Sequence, residues 1–130
     1  MKELIKSKLE KYDYKYLVKQ NEIIIKLEHS LEMKIDFSNQ EKIVIKDKLT
    51  SWNFLTGVIE MNLKNTMVFN TIGFFIVTIM ISFLDKSSDA FNFSFFFLFV
   101  IILVVIWTIF YLIKAENFKK TVIFWIENSN

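Results

Sequence analysis

The stretch "FNFSFFFLFVIILVVIWTIFYLI", Phe91–Ile113, runs for 23 residues without a charged side chain. A bilayer core about 30 Å thick is crossed by about 20 helical residues, so this run is long enough to span one. A second uncharged run, "MVFNTIGFFIVTIMISFL", lies just upstream at Met67–Leu84, and with Thr66 it sets the two expected spans at about 66–84 and 91–113. Only "DKSSDA", Asp85–Ala90, separates them. So short a link makes neighbouring helices antiparallel, which predicts a hairpin. Two buried helices of a soluble protein are the competing reading, but they need a covering shell that 130 residues do not supply.

Outward from the hairpin the composition changes. The chain is 53% hydrophobic with 15 Phe, yet residues 66–113 carry only Asp85, Lys86 and Asp89 as charges, whereas residues 1–65 are mixed and charged. The reading is therefore an α+β membrane protein: a two-helix transmembrane hairpin, a small N-terminal antiparallel β domain, and short amphipathic N- and C-terminal segments. The expected boundaries are 1–65 for the β domain, 66–113 for the hairpin and 114–130 for an amphipathic tail.

Lysine placement sets the orientation. Lys64, Lys114, Lys119 and Lys120 flank the outer ends of the two runs, and only Lys86 lies between them. Positive charge stays on the cytoplasmic side, so both termini are expected there. The N-terminus "MKELIKSKLEKYDYKY" has no apolar core of a signal peptide, and no cleavage is expected. All 16 basic residues are Lys, and with abundant Ile, Phe and Asn this fits an AT-rich bacterial genome. The expected location is a bacterial inner membrane.

Within residues 1–65 the patterns are short. Leu4, Ile5, Leu9 and Tyr12 share one face of a helix over residues 2–12. Strands are expected at Tyr14–Lys19, at Glu22–Glu28 and, most clearly, at Leu31–Phe37, where Leu31, Met33, Ile35 and Phe37 alternate with charges. A turn at residues 38–41 leads to a strand at Lys42–Lys46, and Ile59, Met61 and Leu63 alternate in a fifth. So few residues make a thin core, which points to help from the membrane or a partner. In the tail, Phe118, Val122, Trp125 and Ile126 fall on one helical face, and a surface-lying helix is expected, with a strand through residues 121–127 as the alternative.

Between the sheet and the first span lies "DKLTSWNFLTGVIEMNLK", Asp47–Lys64. Trp52, Phe54 and Leu55 bunch together there. They are read as a loop tip at the membrane interface, where amphipathic rings collect; the alternative is a cap on a small core. Tyr111 and Trp125 are read as further interface anchors, and Trp107 as an anchor or a packing residue. Inside the bilayer, Asn70, Gly73 and Thr78 make a polar and small face for packing one helix on the other.

Chemistry is sparse. Cysteine is absent, which excludes thiolate nucleophiles and Cys-based zinc sites. Arg is absent, so no bidentate grip on phosphate is available. The net charge of +2 does not call for nucleic acid. The single His29 sits in a polar turn, and no serine triad, glycine-rich phosphate loop or metal-spaced cluster accompanies it. No catalytic, cofactor-binding or metal residue is assigned, no enzyme is expected, and no small-molecule substrate is evident.

The succession of short strands, an apolar-tipped loop and an adjacent helical hairpin resembles bacterial PH-like membrane proteins, although the strands fall short of the seven, with a closing helix, that such a domain has. The expected function is that of a non-enzymatic accessory or scaffold subunit, its β domain binding other membrane-protein subunits or a second copy, with the lipid bilayer as the other partner. A pore-forming or membrane-perturbing effector and a PH-like lipid-sensing module are the alternatives.

Overall fold

A computed structural model of the chain describes residues 1–39, 43–84 and 93–128. The order of elements is α1 (Lys2–Lys11), β1 (Lys15–Lys19), β2 (Glu22–Lys26), β3 (Leu31–Asp36), β4 (Val44–Leu49), α2 (Leu63–Leu84) and α3 (Phe93–Glu127). The four strands form an antiparallel meander in the order β1-β2-β3-β4.

The period-2 pattern decides the sheet. Leu31, Met33 and Ile35 point to one face and are fully buried, while Glu32, Lys34 and Asp36 point to the other. Register aligns Ile25 with Met33 and Ile23 with Ile35, so β2 adds two more isoleucines to the same face. Leu49 of β4 lies opposite Leu31 and completes it.

Two helices cover this face. Helix α1 contributes Ile5 and Leu9, both fully buried. Its acidic Glu3 sits in the first turn and Lys8 and Lys11 in the last, which complements the helix dipole. Asp13, at φ 55, turns the chain out of the helix into β1. The second cover is the C-terminal part of α3, through Tyr111, Ala115, Phe118, Val122 and Trp125. Trp125 stacks flat on Tyr12 with ring centres 5.6 Å apart, and Phe118 meets the Tyr14 ring edge-on at 5.4 Å. The result is a two-layer α+β packing of the kind that one-sided sheets require.

Three expectations change here. The tail is neither a separate segment nor a helix lying on a surface: α3 is a single helix of 35 residues from Phe93 to Glu127, about 52 Å long at 1.5 Å per residue. Its apolar stripe faces the sheet because the sheet, with only α1 above it, leaves half of its apolar face uncovered. This also answers the thin core, since residues 111–126 supply what residues 1–65 lack. The expected fifth strand is absent: residues 59–62 make only one bridge, Leu49 to Met61, and helix α2 already begins at Leu63. The cause is Asn62, whose side chain accepts a hydrogen bond from the Asn65 N–H at 2.7 Å and caps the helix. With four strands among the described residues, the seven of a PH-like domain are not present. Strand β4 is displaced to Val44–Leu49; the expected turn beyond Asn39, the Lys42 start of that strand and the Asp85–Ala90 bend lie outside the described residues.

Helices α2 and α3 leave the sheet as a pair. Phe74 of α2 meets Phe97 of α3 edge-on at 5.9 Å, which makes the two helices neighbours. Both are long and apolar enough to cross a membrane.

Candidate membrane-facing surface

The loop joining β4 to α2 is built inside out. Asn53, nearly fully buried, holds it together. Its Oδ1 accepts from the N–H groups of Leu55 and Thr56, both at 3.0 Å, and its Nδ2 donates to Thr56 Oγ1 at 2.9 Å. The Thr56 hydroxyl donates to the Ile59 carbonyl at 2.7 Å. Backbone bonds of 2.9 Å run both ways between Asn53 and Gly57, and Gly57 takes a φ of 62 that side chains resist. With its polar groups turned inward, the loop pushes apolar ones out: Trp52 is 71% exposed, Val58 76%, Ile59 47% and Phe54 42%. Leu55 turns the other way and is buried in the core. Soluble loops show the opposite arrangement, because burying Asn and Thr while wetting Trp and Val costs free energy in water.

The same end of the sheet grips α3. In the β2–β3 turn, His29 and Ser30 both take left-handed backbone angles, φ 60 and 63, which aims the turn at the helix. The Tyr111 hydroxyl donates to the His29 carbonyl at 2.6 Å. Lys114 Nζ bonds Glu28 Oε2, also at 2.6 Å. The His29 ring meets Phe110 edge-on at 5.2 Å, and Trp107 lies 6.0 Å from both the His29 and the Phe54 rings. The turn and the inverted loop therefore share one aromatic seat on α3, at Trp107, Phe110 and Tyr111.

Lys114 holds the Glu28 carboxyl below the usual carboxylate range, first by its hydrogen bond and then by its charge. A carboxylate whose folded-state value is depressed contributes above the unfolded value and loses that contribution as pH falls through the folded one. The turn's ionic tie to α3 is thus expected to loosen only in acid, below the ordinary glutamate range. Amide exchange at His29 and Ser30 followed from neutral pH down to acid checks this, and Glu28→Gln should remove the dependence.

A third tie joins the sheet to the start of α2. Asp47 lies on the apolar side of edge strand β4, opposite Met33. Its Oδ2 accepts from the Leu63 N–H at 2.7 Å, and its Oδ1 lies 3.7 Å from Lys119 Nζ of α3. One carboxylate so caps α2 and touches α3. Asp47→Ala leaves the Leu63 N–H without its acceptor, while Lys119 keeps Glu116 at 2.7 Å, and is expected to cost about 1–2 kcal/mol. Urea unfolding of the detergent-solubilised protein measures it, and Asp47→Asn, which keeps the acceptor, is expected to recover most of the loss.

The remaining sequence-derived residues fall as follows. Tyr111 and Trp125 are buried within the protein, their rings against the β2–β3 turn and against Tyr12 and Tyr14, so neither ring is presented outward. Their partners lie some eighty or more residues away in the chain, and no local pattern signals them. Asn70 and Gly73 are half-buried in α2, and the Asn70 amide nitrogen has no hydrogen-bond partner; Thr78 is exposed and its hydroxyl bonds back to the Phe74 carbonyl at 2.7 Å. Val58 and Ile59 belong to the outward cluster, whereas the alternation predicts a strand at Ile59; Gly57 before them is the sequence signal of the turn. Among the described residues no group of three or more His, Cys, Asp or Glu could hold a metal ion. The chain matches no protein-family model, no curated protein and no solved structure.

Proposed function

We propose that this chain is a small integral membrane protein in which α2 and α3 cross the bilayer as a hairpin and the sheet domain stands on the cytoplasmic side as a non-enzymatic accessory or scaffold module. One observation carries the reading. Only 6% of the apolar window of α2 and 11% of that of α3 is buried within the protein, whereas the sheet core is fully covered. A core helix of a soluble protein has its apolar surface hidden; these leave most of theirs exposed, and lipid is the medium that removes such surface from water. The inverted loop at residues 51–59 supports the same reading, since its Trp52 and Phe54 suit the headgroup level.

The scaffold role rests on the sheet. The outer edge of β1 has no strand beside it among the described residues, and Leu17 and Val18 there are exposed. Such an edge is a place for another chain to pair or pack. The chain is expected to stay in the membrane pellet through alkaline carbonate and to need detergent for release; release into the supernatant without detergent sinks the membrane reading. Because the chain lacks cysteine, single replacements report orientation cleanly. Ser87→Cys is expected to react with an impermeant maleimide on intact cells and Ser7→Cys only after the membrane is opened. A lone monomer after gentle detergent extraction, by native mass spectrometry, would count against the scaffold role.

A further inference from the structure

The sheet domain sits on α3 before the uncharged run of that helix has ended. Tyr111 is almost fully buried and its hydroxyl reaches the His29 carbonyl, Phe110 meets the His29 ring, and Lys114 pairs with Glu28. The Glu28 side chain is 79% exposed. An exposed carboxylate and an open turn are costly in hydrocarbon, so the lipid core ends before it reaches them. The absence of charge up to Ile113 therefore overstates the length of α3 that lipid surrounds. On α2 the first charge met is Lys64, and the 20 uncharged residues Asn65–Leu84 make about 30 Å of helix, the thickness of a bilayer core.

The inverted loop reaches this same level. Phe54 lies on Trp107, six residues before Ile113, and the loop runs on into α2 at Leu63. Trp52, Val58 and Ile59 are exposed there, as are Met67, Val68 and Phe69 at the start of α2. Charge begins directly behind the cluster, where Glu60 pairs with Lys48. We infer, on the membrane reading above, that the bilayer surface meets α3 near Trp107 instead of after Ile113, and that Trp52, Phe54, Val58 and Ile59 form a docking pad seated in the boundary between headgroups and acyl chains of the chain's own membrane. Lipid is the occupant because the pad runs without a break into the apolar surface of α2, and because the polar side chains at its centre, Asn53 and Thr56, are spent inside the loop. A protein partner would call for a polar rim able to pair across the contact.

The test uses the full chain reconstituted in phosphatidylcholine–phosphatidylglycerol vesicles. Single cysteines carry an environment-sensitive nitrobenzoxadiazole dye. The quenchers are a lipid with a nitroxide near the glycerol end of its acyl chain, and iodide present on both faces of the vesicle. Val58, Leu17, Ile79, Ile102 and Ile113 are all exposed, so the dye displaces no packing within the chain. Val58→Cys is expected to be quenched by the nitroxide at least about three-fold more than Leu17→Cys on β1. Ile113→Cys is expected to be quenched by iodide, and by the nitroxide no more than Leu17→Cys. Ile79→Cys on α2 is the control for the span. Nitroxide quenching at Ile79 without quenching at Val58 overturns the pad and leaves the membrane reading standing; no quenching at Ile79 either overturns the membrane reading itself. Protection of Val58 from both quenchers means that protein covers the pad, and overturns lipid as its occupant. Equal nitroxide quenching at Ile113 and Ile102 overturns the boundary at Trp107.

Discussion

A chain ending at Ile113 is expected to lose its folded sheet altogether. The removed residues include Ala115, Phe118, Val122 and Trp125, all buried against the strands or α1. Truncating one buried Phe or Trp costs about 3–5 kcal/mol, and whole domains are stable by only about 5–15 kcal/mol. Removing two such groups together with Val122 and Ala115 exceeds what the sheet can lose. The measurement is limited trypsin digestion in detergent. The full chain should resist cutting between Lys15 and Lys34, and the shortened one should be cut there at the rate of an unfolded peptide. Resistance in the shortened chain would mean that the sheet and α1 close a core by themselves, and the joint packing with α3 would be unimportant to stability.

Leu9→Ala is expected to cost about 2–5 kcal/mol in unfolding free energy. Leu9 is fully buried beneath the sheet, in the same cluster as Ile25, Met33 and Val122, and no neighbour is positioned to refill the space without shifting the sheet. Leu17→Ala is the control: its side chain is 52% exposed on β1, and the expected change is within about 0.5 kcal/mol. Near-ultraviolet circular dichroism, which sees Trp125 stacked on Tyr12, follows both unfolding curves. Equal effects at the two positions would contradict the placement of α1 over the apolar face.

The parts of this fold that a reader of the sequence can see are those written locally. Alternation over Leu31–Phe37 places β3 because each residue's face follows from the pleat alone. The two uncharged runs place α2 and the first part of α3 because length and absence of charge are local properties. What stays hidden is set by distant partners. Asp47 reads as one more solvated charge in "IKDKL" until α2 arrives with an unpaired N–H at Leu63. The alternation Ile59–Met61–Leu63 mimics a strand, and the discriminating cue is the Asn62 cap before an apolar run. Trp52, Phe54 and Leu55 read alike in the sequence, and Leu55 is buried where its two neighbours are exposed because its direction depends on the hydrogen bonds of Asn53. Tyr111 and Trp125 look like interface aromatics by composition and turn inward because sheet and helix need them there.

The uninterrupted course of α3 has a mechanical consequence. It contains no glycine or proline at which to bend, and its far third is cemented into the sheet. A rod about 52 Å long that leans by a further 10° or so carries its end about 9 Å sideways. Membrane helices lean by different amounts in bilayers of different thickness. If α3 crosses a bilayer as proposed, any such adjustment would swing the whole sheet as one piece, and the position of the sheet would then follow the thickness of the lipid around the other end.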